Sequence, residues 1–81
     1  MFQIHFFASL RERLGCSVMN LEYAGQQDIE EIKQHLIGQG TPWNLLAEQE
    51  VLSAVNQTIC DVKTEVHDGD EIAFFPPVTG G

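Results

Sequence analysis

Residues 2 to 7 of the chain, FQIHFF, alternate. Phe2, Ile4 and Phe6 fall on one side of an extended backbone, and Gln3, His5 and Phe7 on the other. A period of two predicts a strand with one face in the core. The next stretch, ASLRERLG (8 to 15), reads as a short helical turn ended by Gly15. CSVMNLEY (16 to 23) reads as a second strand, though Val18 and Leu21 are too irregular to set its register. Strand, short turn and strand predict an opening hairpin.

The strongest helical signal is DIEEIKQHLIGQG (28 to 40). Ile29, Ile32, Leu36 and Ile37 recur at i, i+3, i+7 and i+8, which makes one apolar stripe. Asp28 is placed to accept from the backbone N–H three residues on, and Glu31 stands where a capping box wants an acid. Gly38 and Gly40 supply the stop. TPWNLLAEQE (41 to 50) predicts a second short helix, with Thr41 as N-cap and Pro42 at the first helical position. VLSAVN and TICDV predict two strands joined by a tight turn at Asn56-Gln57. HDGD is a turn around Gly69, and EIAFF is the last strand. Ile72 and Phe74 lie on one face of that strand, Ala73 and Phe75 on the other. Pro76 and Pro77 end it, because neither can donate to a ladder.

The order ββα(α)βββ predicts an α+β fold. A mixed sheet of about five strands packs one main helix on one face, which buries the Ile29–Ile37 stripe. The first strand is expected beside the last, in the middle of the sheet. The chain then divides into a folded unit, residues 1 to 75, and an extended, flexible C-terminal tail, residues 76 to 81. Eighty-one residues form one domain with one modest core, since a chain this size buries roughly 60% of its unfolded surface.

Charge changes the picture more than composition does. Twelve acids face four bases, for a formal net charge of −8. Phosphate binding needs clustered Lys and Arg, so nucleic acid is an unfavoured partner and a basic protein a favoured one. Cys16 and Cys60 form no CxxC, and no Cys/His set has metal spacing, so no metal is expected. Both are expected to be buried thiols. There is no signal-peptide pattern, no membrane-length apolar run and no prenylation cysteine, which predicts a cytoplasmic protein that does not enter a membrane.

The tail, PPVTGG, carries the chemistry. Six extended residues reach about 20 Å at most, at roughly 3.3 Å each. Pro76 and Pro77 stiffen the base, and Val78 and Thr79 extend it. Gly80 and Gly81 remove the last two Cβ atoms, so the end can thread a channel too narrow for side chains. A carboxylate is inert toward acyl transfer at neutral pH. As a mixed anhydride with AMP it becomes an electrophile, and a sulfur donor then converts it to a thiocarboxylate. The competing reading is an ordinary frayed terminus.

FFASLRE (6 to 12), AVNQT (54 to 58), DGDEIAFFPPVTGG (68 to 81) and the total length together resemble the small, sulfur-carrier subunits of molybdopterin synthase, a β-grasp (ubiquitin-like) family. The stretch from 16 to 50 matches only in its order of elements. The resemblance implies that a ubiquitin-activating-like adenylyltransferase uses ATP to adenylate Gly81, which then becomes a C-terminal thiocarboxylate (1-thioglycine). It implies that the tail enters the active site of the large synthase subunit and gives its sulfur to cyclic pyranopterin monophosphate. Two carriers serve each dithiolene, and the assembly is a heterotetramer. The chain would bind no cofactor itself and would not be an enzyme alone.

Strand parity also predicts a docking face. With Ile4, Phe6, Ile72 and Phe74 toward the helix, Phe7 and Phe75 point away. Placing Thr58, Cys60 and Val62 inward turns Ile59 outward. Phe7, Ile59 and Phe75, with Arg11 at the edge, would form an exposed apolar patch beside the tail. His5, His35 and His67 are scattered, and Trp43 is expected to close the core. Two rival readings stand beside the synthase subunit. One is a carrier of the same fold serving thiamine synthesis, tRNA thiolation or protein modification. The other is a β-grasp binding module with an inert tail. A cluster-binding ferredoxin is excluded, because two cysteines cannot supply four ligands.

Overall fold

The computed structural model describes residues 1–77. The opening alternation is strand β1, Phe2–Phe6, with Phe2, Ile4 and Phe6 buried. Helix α1, Ala8–Leu14, follows at once and buries Leu10 and Leu14. Gly15 ends it in the left-handed region at φ 70°, donating its N–H to Arg11 O. Strand β2, Val18–Leu21, then returns antiparallel to β1. The opening hairpin is therefore a strand pair spliced by a full helix rather than by a turn.

Helix α2, Ile29–Ile37, is the main helix, and Ile29, Ile32 and Leu36 are fully buried on its inner face. Asp28 Oδ1 accepts from Glu31 N at 2.9 Å, as its position in the sequence predicts. The Glu31 carboxylate reaches back to Gln27 N at 3.0 Å, one residue earlier than in a standard capping box. Gly38 is right-handed (φ −64°), so the reversal of the chain comes at Gly40, φ +85°.

The second helix is shorter than predicted. Helix α3 spans Leu45–Glu48, with Asn44 in the N-cap position, so Thr41 and Pro42 are not its cap and first turn. Leu45 N, Leu46 N and Ala47 N donate three residues back, to Pro42 O, Trp43 O and Asn44 O, and Asn44 N donates to Gly40 O. Residues 41 to 44 are therefore turn, and only Leu45–Glu48 is helix. The turns seat Trp43 against Phe6, with ring centroids 5.6 Å apart, and bury Leu45 and Leu46.

Strands β3, Leu52–Val55, and β4, Thr58–Cys60, form the expected hairpin. Asn56 and Gln57 both have positive φ, 49° and 71°, as a type I′ turn demands. Strand β5 is Glu71–Phe75. The sheet order is β2-β1-β5-β3-β4, with β1 and β5 parallel and every other pair antiparallel. The last strand is therefore central, and Pro76 continues from the middle of the sheet.

The predicted strand 58–62 stops early, at Cys60, for a clear reason. The carbonyls of Val62 and Thr64 turn away to accept from Glu30 N and Ile29 N, and Val66 N donates to Gln27 O. The two carbonyls and Asp28 Oδ1 satisfy the first three N–H groups of α2, which have no partner inside the helix. Segment 61–66 is thus a strap over the helix N-terminus and cannot also extend the sheet.

The two thiols are half-buried rather than buried. Cys16 precedes edge strand β2 and Cys60 ends edge strand β4, so the width of the sheet separates them and forbids a disulfide. Each packs one side against the core and leaves the other to solvent.

Candidate functional site

All helices with buried faces pack on one side of the sheet, and the register defines what lies on the other. Val18, His5, Ala73, Ala54 and Ile59 are successive cross-strand partners from β2 to β4. Directly paired residues share a face, so these five form one row on the open side. Two residues further along β1, β5 and β3 lie Phe7, Phe75 and Leu52, with Leu52 directly opposite Phe75. The inner row beside it contains Phe6, Phe74, Ser53 and Cys60.

The parity argument thus places Phe7, Ile59 and Phe75 on the same face. Ile59 is 72% exposed and Phe7 48%. Phe75 is only half-buried rather than fully open, because it stands on the central strand with Leu52 beside it. Arg11 is exposed on α1, which begins immediately after Phe7. Thr58 belongs to the inner row by register, opposite Val55, but is exposed because β4 is an edge and no helix covers its end.

Leu52, Val18 and His5 complete the face and were not assigned to the docking patch by sequence. Strand β3 hid Leu52 because its pattern runs against habit: leucine is on the open side, and Ser53 is in the core at 2% exposure. Ser53 is satisfied there by donating its Oγ–H to Cys60 O at 3.2 Å. A core serine beside an outward leucine was the available signal. An open sheet face carrying two phenylalanines, leucine, isoleucine and valine, with Phe7, Val18 and Ile59 exposed, has the composition of an interaction surface.

The tail leaves from the edge of this face. Phe7 N donates to Phe74 O at 3.2 Å, and Phe75 pairs with Leu52, so the final strand is held on both sides up to its last residue. Pro76 and Pro77 are half-buried. The remaining tail positions, Val78, Thr79, Gly80 and Gly81, lie outside the described residues.

The other singled-out residues have structural partners. His35 Nδ1 lies 3.3 Å from Gln26 Nε2, and His67 lies 3.6 Å from Glu65 on the far end of the molecule. Among the described residues no three His, Cys, Asp or Glu side chains converge to hold a metal ion. Nor is any helix among them long and apolar enough to cross a membrane.

Comparison with known proteins agrees with this geometry. The ThiS family model matches residues 4–81. The molybdopterin synthase sulfur carrier subunit of Haemophilus influenzae is 43% identical over 82 residues, covering all of both chains. The crystal structure of SAMP1 from Haloferax volcanii superposes with a TM-score of 0.78 at 23% identity, covering 99% of this chain and 98% of that one. A Helicobacter pylori complex of subunits 1 and 2 of molybdopterin-converting factor contains a chain that superposes with a TM-score of 0.67 at 22% identity, covering 99% of this chain and 97% of that one. The fold is the β-grasp that the sequence resemblance implies.

Proposed function

The chain belongs to the ThiS family and shares its full length with a named molybdopterin synthase sulfur carrier subunit, and on that premise we propose that it carries sulfur for molybdopterin synthesis on Gly81. An activating enzyme of the ubiquitin-activating type transfers AMP from ATP to the Gly81 carboxylate and releases pyrophosphate. A sulfur donor then attacks the carbonyl carbon, AMP leaves, and a thiocarboxylate remains. Its sulfur is softer and more nucleophilic than the oxygen it replaces, and it stays anionic. In the active site of the large subunit that sulfur passes to cyclic pyranopterin monophosphate, and water restores the carboxylate. The sulfurtransferase is the two-subunit assembly, a heterotetramer, and this chain is its donor arm.

One observation carries the reading: the central strand β5 ends, at Phe75, directly beside the apolar open face. A partner that covers Phe7, Leu52, Ile59 and Phe75 meets the root of the tail, Pro76, at a fixed distance and direction from its own surface. The acidic surface puts the groups that bind an anionic pterin on the partner.

The test is an intact-mass spectrum after incubation with ATP, an activating enzyme proven on another carrier, and sulfide. Replacement of one oxygen by one sulfur, mapped to Gly81, is the expected result. An unchanged mass would leave a β-grasp binding module with an inert tail. Transfer of the sulfur to the pterin by the large subunit then separates this pathway from a thiamine or tRNA carrier.

A further inference from the structure

Within the open face one residue is neither apolar nor remote. His5 lies in the middle of the row, between Val18 and Ala73, and is 29% exposed. Its imidazole stacks on the Phe7 ring, with centroids 6.2 Å apart and planes 10° from parallel. Its Nε2 lies 3.3 Å from Gln3 Oε1, so the ring N–H donates to the amide oxygen. The same nitrogen lies 3.9 Å from Glu71 Oε1. Gln3 and Glu71 are themselves cross-strand partners on β1 and β5.

Phe7 is the most exposed aromatic ring of the face, and an exposed ring samples several rotamers. Stacking against an imidazole that is tethered at its far edge restricts that choice before any partner arrives. We infer that His5 is a positioning residue of the docking face: it presets the Phe7 ring for the partner. The inference rests on the reading that this face receives the large subunit.

The side chains that share the face next to His5 are Gln3 and Phe7 on β1, Val18 and Asn20 on β2, and Ala73 and Glu71 on β5. Phe7 is the one ring among them.

The experiment measures affinity for the large synthase subunit of the same genome, by calorimetry. The chains are the wild type, His5→Ala, His5→Phe and Phe75→Asp, each checked by thermal melting. His5→Ala is expected to weaken binding by roughly three- to tenfold, the factor a stacked ring pair is worth. His5→Phe, which restores a ring against Phe7, is expected to keep the wild-type affinity. Wild-type affinity in His5→Ala, or a loss in His5→Phe as large as that in His5→Ala, overturns the inference while a loss of binding in Phe75→Asp leaves the docking face in place. A folded wild type that does not bind, or a Phe75→Asp variant that binds normally, overturns the docking face and the inference together.

Discussion

Asn56 and Glu71 are joined twice. Asn56 N donates to Glu71 O at 2.8 Å, and Glu71 N donates to Asn56 Oδ1 at 3.1 Å. The Asn56 amide also donates to Asp70 Oδ1 at 3.2 Å. One side chain therefore clamps the β3–β4 turn to the start of the central strand, and with it two of the segments that carry the family resemblance. Asn56→Ala removes two of these bonds and puts a Cβ-bearing residue without a compensating polar group at φ 49°. A loss of about 1–2 kcal/mol is expected. For a domain of this size each 1 kcal/mol is about 4–8 °C in Tm, so a thermal melt by circular dichroism reads it directly. An unchanged Tm would show that water replaces the clamp without cost.

The same turn holds a correctable defect. Gln57 sits at φ 71° with an exposed side chain. A type I′ turn favours Asn-Gly, and glycine occupies that backbone region without a Cβ penalty. Gln57→Gly should stabilise the domain by about 0.5–1 kcal/mol, visible as a higher urea midpoint with an unchanged slope. A lower midpoint would mean that the entropy lost by glycine outweighs the strain it relieves.

The N-terminus of α2 tests the strap. Asp28→Ala leaves Glu31 N without its side-chain acceptor, although Val62 and Thr64 still serve the two N–H groups before it. The expected cost is about 1 kcal/mol. Amide exchange should quicken at Glu31 more than at Ile29 or Glu30, whose partners are backbone. Equal quickening at all three would show that the cap also holds the strap down.

Phe75→Asp places a carboxylate at the centre of the open face, opposite Leu52. The change is on the solvent side of the sheet, so the fold should survive. Burying an unpaired charge under a partner is costly. A loss of affinity of at least tenfold for the large subunit is expected, with Tm within a few degrees of wild type. Unaltered affinity would remove Phe75 from the interface.

The tail separates chemistry from access. Deleting Gly81 should abolish thiocarboxylate-dependent transfer without changing Tm, because the last strand, β5, ends at Phe75. Gly80→Val keeps the terminal carboxylate but adds a branched side chain, and it should bind the large subunit while failing to turn over. Normal turnover of Gly80→Val in a coupled assay would show that the channel admits side chains.

Much of this protein was determined by local pattern. The parity of FQIHFF and EIAFF put Phe7 and Phe75 on one face, because a strand offers only two sides. Asp28, Gly15 and the Asn56-Gln57 turn were readable because caps and tight turns are decided by a few adjacent residues. The nature of the tail was carried by its residues and by the resemblance they support. Tertiary structure decided the rest, where a segment's partners lie far away in sequence. Ser53 faces inward and Leu52 outward because β3 must pair in register with β5, and a distant carbonyl, Cys60 O, satisfies the serine. Val62 and Thr64 leave the sheet because α2 needs acceptors for its first N–H groups, a demand made more than thirty residues earlier in the chain. His5 is an ordinary polar residue on an alternating strand until the parallel pairing of β1 with β5 brings Glu71 to its edge, beside the Phe7 ring.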